Sequence, residues 1–183
     1  MRTLSLCLIG TSPLLLHRVA RHQEREKITA HGHRGESLEE EAREVMSQDE
    51  SGNPMVPVSW VSDALRIGCS RIVLEGKQIS FCKFQSAVQL PTGLLALKDT
   101  DNYTPALEVY ASMQHSAPGS RKSIAVVAPI FRDWTLVLPI ETNLDDELLM
   151  RIFNEAGRAG IGLFHPPKKQ FGQFRCVVEL RNA

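Results

Sequence analysis

The sequence predicts one α+β domain whose main elements run strand, helix, strand, strand, helix, strand. Three observations predict it. Residues 3–9 alternate around Leu4, Leu6 and Leu8, the period of a half-buried strand. Leu148, Leu149, Ile152, Phe153 and Ala156 recur at helical spacing behind the acidic run Asp145, Asp146 and Glu147. Phe174, Cys176, Val178 and Leu180 alternate again and read as a closing strand.

The remaining elements follow in order. Gly10-Thr11-Ser12-Pro13 breaks the first strand, and Leu14-Leu15-Leu16 continues it briefly. Residues 19–35 are rich in Arg, His, Lys and Glu, have no clean period and read as an exposed, mobile basic loop. Ser37 followed by Glu40 has the form of a capping box, opening a short helix to about Gln48 with Leu38, Ala42, Val45 and Met46 on one face. After the turn at 49–54, Ser59 is placed to cap a core helix bearing Val61, Ala64, Leu65, Gly68 and Ile72. Residues 79–90 look strand-like, with Phe81 and Phe84 available for packing. Leu107, Val109 and Tyr110 suggest one strand and residues 124–130 another, with a hairpin tip or loop at 117–122. Trp134, Leu136, Leu138 and Ile140 alternate in a further strand, which Pro139 marks as an edge or strand end. Thr142 or Asn143 caps the last helix, and Gly157 and Gly160 end it. The order is that of a ferredoxin-like βαββαβ domain over residues 1–183, with insertions at about 17–57 and about 91–123.

Composition narrows the function. Lys+Arg and Asp+Glu both number 21, so any nucleic-acid site must be a local patch on a neutral chain. Cys7, Cys69, Cys82 and Cys176 are far apart, which argues against a zinc ribbon and for free thiols in a reducing compartment. No apolar run approaches the roughly 20 residues of a membrane helix, and no signal peptide is legible. The expectation is a cytoplasmic protein with no membrane association and no cofactor.

The segment richest in chemistry joins the last helix to the last strand. Gly160, Gly162 and Gly172 permit sharp turns and close backbone approach. Lys168 and Lys169 add charge, Arg175 follows on the strand, and His165 and Phe164 are shaped to stack on a base or sugar. Pro166-Pro167 stiffens the middle. A second basic stretch holds His17, Arg18, Arg21, Lys27 and Arg34. It reads as a flexible polar loop, with an RNA-ordered basic arm as the functional alternative. His31-Gly32-His33 makes a weak metal motif, because a metal needs a fixed set of ligands. No Gly-x-Ser-x-Gly, Walker loop or His-Glu-x-x-His occurs.

The helix, then Gly160-Ile161-Gly162, then Lys168-Lys169, then Phe171-Gly172 resembles the glycine-rich loop of the RAMP superfamily of CRISPR-associated proteins, the Cas5, Cas6 and Cas7 families. The match departs where Gln173-Phe174 stands in place of a further glycine, and the spacer is longer. Gly10-Thr11-Ser12-Pro13-Leu14-Leu15 also resembles the start of small uncharacterised phage-encoded proteins. The RAMP resemblance implies an RRM-like ferredoxin fold and a non-catalytic Cas7-like module on single-stranded RNA, CRISPR RNA among the candidates. It further implies assembly with copies of itself or other RAMP subunits. Two alternatives stand beside it. One is a phage or mobile-element factor docking on a host complex, CRISPR machinery included. The other is a Cas6-like metal-independent endoribonuclease using His17 or His165, ranked last for want of a second catalytic group.

Overall fold

The computed structural model describes residues 1–16, 38–98, 103–110, 124–162 and 171–178. In chain order the elements are β1 (Arg2–Gly10), β2 (Leu14–Leu15), α1 (Leu38–Glu44), β3 (Met55–Pro57) and α2 (Val58–Arg71). Then come β4 (Val73–Leu74), β5 (Lys77–Gln78), α3 (Phe81–Ala87), β6 (Val88–Gln89) and β7 (Leu94–Lys98). The chain closes through β8 (Tyr103–Tyr110), β9 (Ile124–Phe131), β10 (Thr135–Thr142), α4 (Asp146–Ala159) and β11 (Phe174–Val178). The protein is α+β, with antiparallel sheets.

Alternation builds the main sheet. Its strands run in the order β11-β1-β10-β7-β3, with β6 joining β10. Leu6 faces Leu138 across β1 and β10, and Leu8 faces Leu136 there and Cys176 on β11. All five side chains are buried, because the period of two sends them to one face. That face is covered by α2 and α4. Val61, Ala64, Leu65 and Cys69 of α2 meet Leu149, Ile152, Phe153 and Ala156 of α4 in the same apolar cluster as the strand leucines. Gly68 lets the helices close: a Cβ there would lie 2.7 Å from the Ile152 carbonyl oxygen. On the opposite face Thr3, Lys98, Pro139, Glu141 and Arg175 are exposed.

A smaller sheet, β2-β9-β8, stands beside the first. Tyr103 pairs with Phe131 and the register runs to Tyr110 opposite Ile124. Leu14 and Leu15 of β2 pair with Phe131 and Ile130. Thus the short leucine run after β1 crosses from one sheet to the other.

Several sequence expectations are corrected. Residues 81–87 are helical, not extended, because Phe84 turns into the core beside Phe153 while Phe81 stacks on it from the margin. Ser59 lies inside α2, whose N-cap is Pro57, and no side chain caps it. The α4 cap is Asp145, whose carboxylate accepts the Leu148 N–H at 3.0 Å. Thr142 does a related task one turn earlier, its Oγ1 accepting from Leu144 N. Gly157 is within α4, and Gly160 ends the helix at φ 76°. The short α1 stops at Glu44, before the expected Gln48. Pro139 is in a strand with neighbours on both sides, but β7 pairs only with Thr135 and Leu136 and β6 only with Glu141 and Thr142. Pro139 falls in the gap between them, where its missing N–H breaks no ladder bond. Strand β7 itself carried no recognised signal.

Candidate nucleic-acid interface

The structure joins two motifs that are far apart in sequence. The turn at 10–13 and the base of the glycine-rich loop hydrogen-bond to one another. The Thr11 N–H donates to the Gln173 carbonyl at 2.8 Å, and the Ser12 N–H to the same oxygen at 3.3 Å. The Gln173 N–H returns a bond to Ser12 Oγ at 2.9 Å. Gly172 N–H donates to the Pro13 carbonyl at 2.8 Å, and Ile161 N–H to the Gly172 carbonyl at 2.9 Å. This last bond draws the two described ends of the loop into a neck.

The glycines explain why the neck can be so tight. At Gly172, φ is 67° and a Cβ would fall 1.8 Å from the Ile161 carbonyl oxygen. At Gly160 it would meet the Phe171 carbonyl oxygen at 2.8 Å. At Gly162 it would meet Leu14 Cδ1 at 2.7 Å and the Leu15 carbonyl oxygen at 2.8 Å. The space each glycine leaves is thus filled by the protein's own chain. The N–H groups of Gly160, Ile161 and Gly172 are likewise engaged by protein carbonyls. Those three N–H groups are therefore spent within the protein.

Trp134 anchors the turn from below. Its indole N–H donates to the Ser12 carbonyl at 2.8 Å, its ring meets Phe174 edge-on at 6.3 Å, and it is 2% exposed. Gly10 lies on the indole, where a Cβ would be 2.4 Å from Nε1. From the other side Phe171 packs on Leu15, Ala128 and Ile130, so the neck also rests on the smaller sheet.

The predicted site residues distribute as follows. Gly160, Gly162 and Gly172 are brought together in the neck, and Arg175 is exposed on β11 opposite Ile9. His165, Lys168, Lys169, His17, Arg18, Arg21, Lys27 and Arg34 lie outside the described residues, as does the expected cap Ser37. The described points where their segments begin are adjacent: Leu16 follows Leu15, and Gly162 packs on Leu14 and Leu15. Leu16 N–H is tied to the Pro129 carbonyl at 3.2 Å. Sequence reasoning marked both motifs but missed that they meet, and it missed Trp134 and Ser12 as their link. Elsewhere Arg71 reaches the Glu155 carbonyl at 3.3 Å, and Arg66 lies over the Phe81 ring at 5.3 Å. Among the described residues no cluster of His, Cys, Asp and Glu could hold a metal ion. No described helix is long and apolar enough to cross a membrane.

No protein-family model matches the sequence, and no curated protein matches it. A solved structure does. A chain of the type III-B Cmr-beta complex, determined by cryo-EM bound to cognate target RNA, superposes with a TM-score of 0.57 at 12% identity. The match takes in 97% of this chain and 60% of that one, so the chain spans about three fifths of the neighbour's length. At that identity the likeness is one of fold.

Proposed function

We propose that the chain is a non-catalytic, RAMP-type module that binds single-stranded RNA. The carrying observation is the neck, from which the basic segments at 17–34 and 163–170 both start. Lys168, Lys169 and His165 then work beside Arg18, Arg21, Lys27 and Arg34 on one stretch of backbone, with His17 at the root and Arg175 beyond the loop. Gly160, Gly162 and Gly172 serve as the loop's fixed ends. In this reading cations from the two segments meet phosphates, while Phe164 and His165 stack on a base or sugar.

Two further observations support the reading. The sheet order β11-β1-β10-β7, with α2 after the first strand and α4 after the third, is the arrangement expected of a ferredoxin-like split βαβ domain. The fold likeness to a chain of an RNA-bound Cmr complex agrees with it. The test is fluorescence anisotropy with labelled single-stranded RNA and DNA, for wild type and Lys168→Ala/Lys169→Ala. The expected result is salt-sensitive binding, stronger for RNA, that the double substitution weakens. Absence of binding at low salt overturns the reading in favour of a protein-docking factor.

A further inference from the structure

We infer that Trp60 is a contact residue for the bound strand, its indole ring packing against one base. The inference rests on the RNA-binding reading above. Trp60 lies in the first turn of α2, two residues after Val58, whose N–H is held by the Gly93 carbonyl at 3.0 Å. The start of the helix is thus tied down, and the side chain it carries has a fixed place. The indole packs on the apolar core, yet the residue is only half-buried. Its six-membered ring borders the neck: a Cβ at Gly162 would stand 3.7 Å from Cζ3. Leu14 and Leu15 press on the same glycine. The ring is therefore beside the point where the two joined motifs touch.

The polar edge of the ring sets Trp60 apart. Its N–H donates to no described residue, and no side-chain nitrogen or oxygen among the described residues is both buried and unpartnered. The indole nitrogen therefore lies in solvent. A tryptophan buried for packing alone normally finds a partner for that donor, whereas one that is apolar at one end and wet at the other suits a binding surface. Trp134 is the contrast, 2% exposed with its N–H held by the Ser12 carbonyl. The described phenylalanines are also taken up. Phe84, Phe131, Phe153 and Phe174 are buried, Phe81 lies under Arg66, and Phe171 packs on the smaller sheet. A base needs a fixed ring with open surface, and the first turn of α2 holds no carboxylate to repel the attached phosphate.

The chain has two tryptophans, so emission reports on Trp60 directly. Wild type and Trp60→Phe are titrated with unlabelled single-stranded RNA while tryptophan fluorescence is followed. Saturable quenching is expected in wild type, and its loss in Trp60→Phe, where only the buried Trp134 emits. Labelled RNA and a labelled base-free strand of the same sugar and phosphate are then titrated by anisotropy against wild type and Trp60→Leu. Thermal melts establish that the variant is folded. Trp60→Leu is expected to weaken RNA binding by about fivefold to a hundredfold, the scale of one stacked base. It is expected to leave unchanged both the binding of the base-free strand and the slope against salt, because the ring meets no phosphate. The quenching titration uses wild type and the conservative variant, so it decides the matter even if Trp60→Leu does not fold. A wild type that binds RNA without quenching overturns the inference and leaves the RNA reading intact. Equal weakening on both strands does the same, since it marks Trp60 as a packing residue. A wild type that binds no RNA at low salt removes the reading and the inference together.

Discussion

A glycine's worth depends on what fills the place of its missing side chain. At Gly172 that place holds the Ile161 carbonyl oxygen, 1.8 Å from where a Cβ would be, and at Gly157 the Phe174 carbonyl oxygen at 1.9 Å. Backbone cannot give way as a side-chain tip can. Gly172→Ala should therefore cost at least about 3 kcal/mol, the upper part of the range for single substitutions. Gly52 also has a positive φ, 83°, but nothing lies within 4 Å of a Cβ there. Gly52→Ala should cost only about 1–2 kcal/mol, the left-handed penalty alone. Urea midpoints of the two variants compare these directly, and equal losses would contradict the crowding argument. The buried cysteines make a second contrast. Burial pushes the Cys176 thiol from 9.0 up to about 12 and the Cys69 thiol up to about 11. Cys82 is exposed. A thiol reagent near pH 8 should modify Cys82 quickly and leave Cys69 and Cys176 until unfolding. The raised values also set a sign. Between about pH 9 and 12 the native thiols keep protons that the unfolded chain has lost, so their stabilising effect is full below pH 9 and fades as pH rises. Cys176→Ala should show a shallower alkaline decline in stability than wild type, measured by urea unfolding across that range.

Elements formed by simple periodicity were legible, and those formed by context were not. Leu4, Leu6 and Leu8 announce β1, and the apolar face from Leu149 to Ala156 announces α4. The segment 81–87 misled because Phe81, Cys82 and Phe84 carry strand propensity while tertiary packing on Phe153 makes them a helix. Pro139 misled because a central strand can tolerate proline where its neighbours on one side are short. The cap of α4 was misplaced within a run of polar candidates, Thr142, Asn143 and Asp145, that only geometry distinguishes. The site was half legible: its glycines declare close approach, but nothing in one sequence says that 10–15 and 160–172 approach each other. The cap assignment is testable. Asp145→Ala should cost about 1 kcal/mol, lowering the thermal midpoint by roughly 2–4 °C for a chain of this size. Asp146→Asn should cost less, since its partner Arg2 is a half-exposed surface cation. A larger loss at Asp146 than at Asp145 in thermal melts would reverse the assignment.

At the scale of the whole molecule, charge decides what kind of binder this chain can be. With 21 basic and 21 acidic residues it has no global field to draw a polyanion. The described basic groups are partly occupied as well: Arg2 pairs with Asp146, and Arg158 with Glu155. Under the proposed reading, attraction to RNA rests on the few cations of residues 17–34 and 163–170, and that makes it countable. Each cation that meets a phosphate of a single strand contributes about 0.7 to the slope of log affinity against log salt. Removing Lys168 and Lys169 together should therefore lower the slope by about 1.4. Arg66→Ala, at a residue lying over Phe81 on the helix-covered side, should leave it unchanged. The measurement is an anisotropy titration over a salt series for the three proteins. A slope that falls equally with Arg66→Ala would mean diffuse attraction over the whole surface, which a neutral chain is poorly built to provide. A slope that falls only with the lysine pair ties binding to the loop between Gly162 and Phe171.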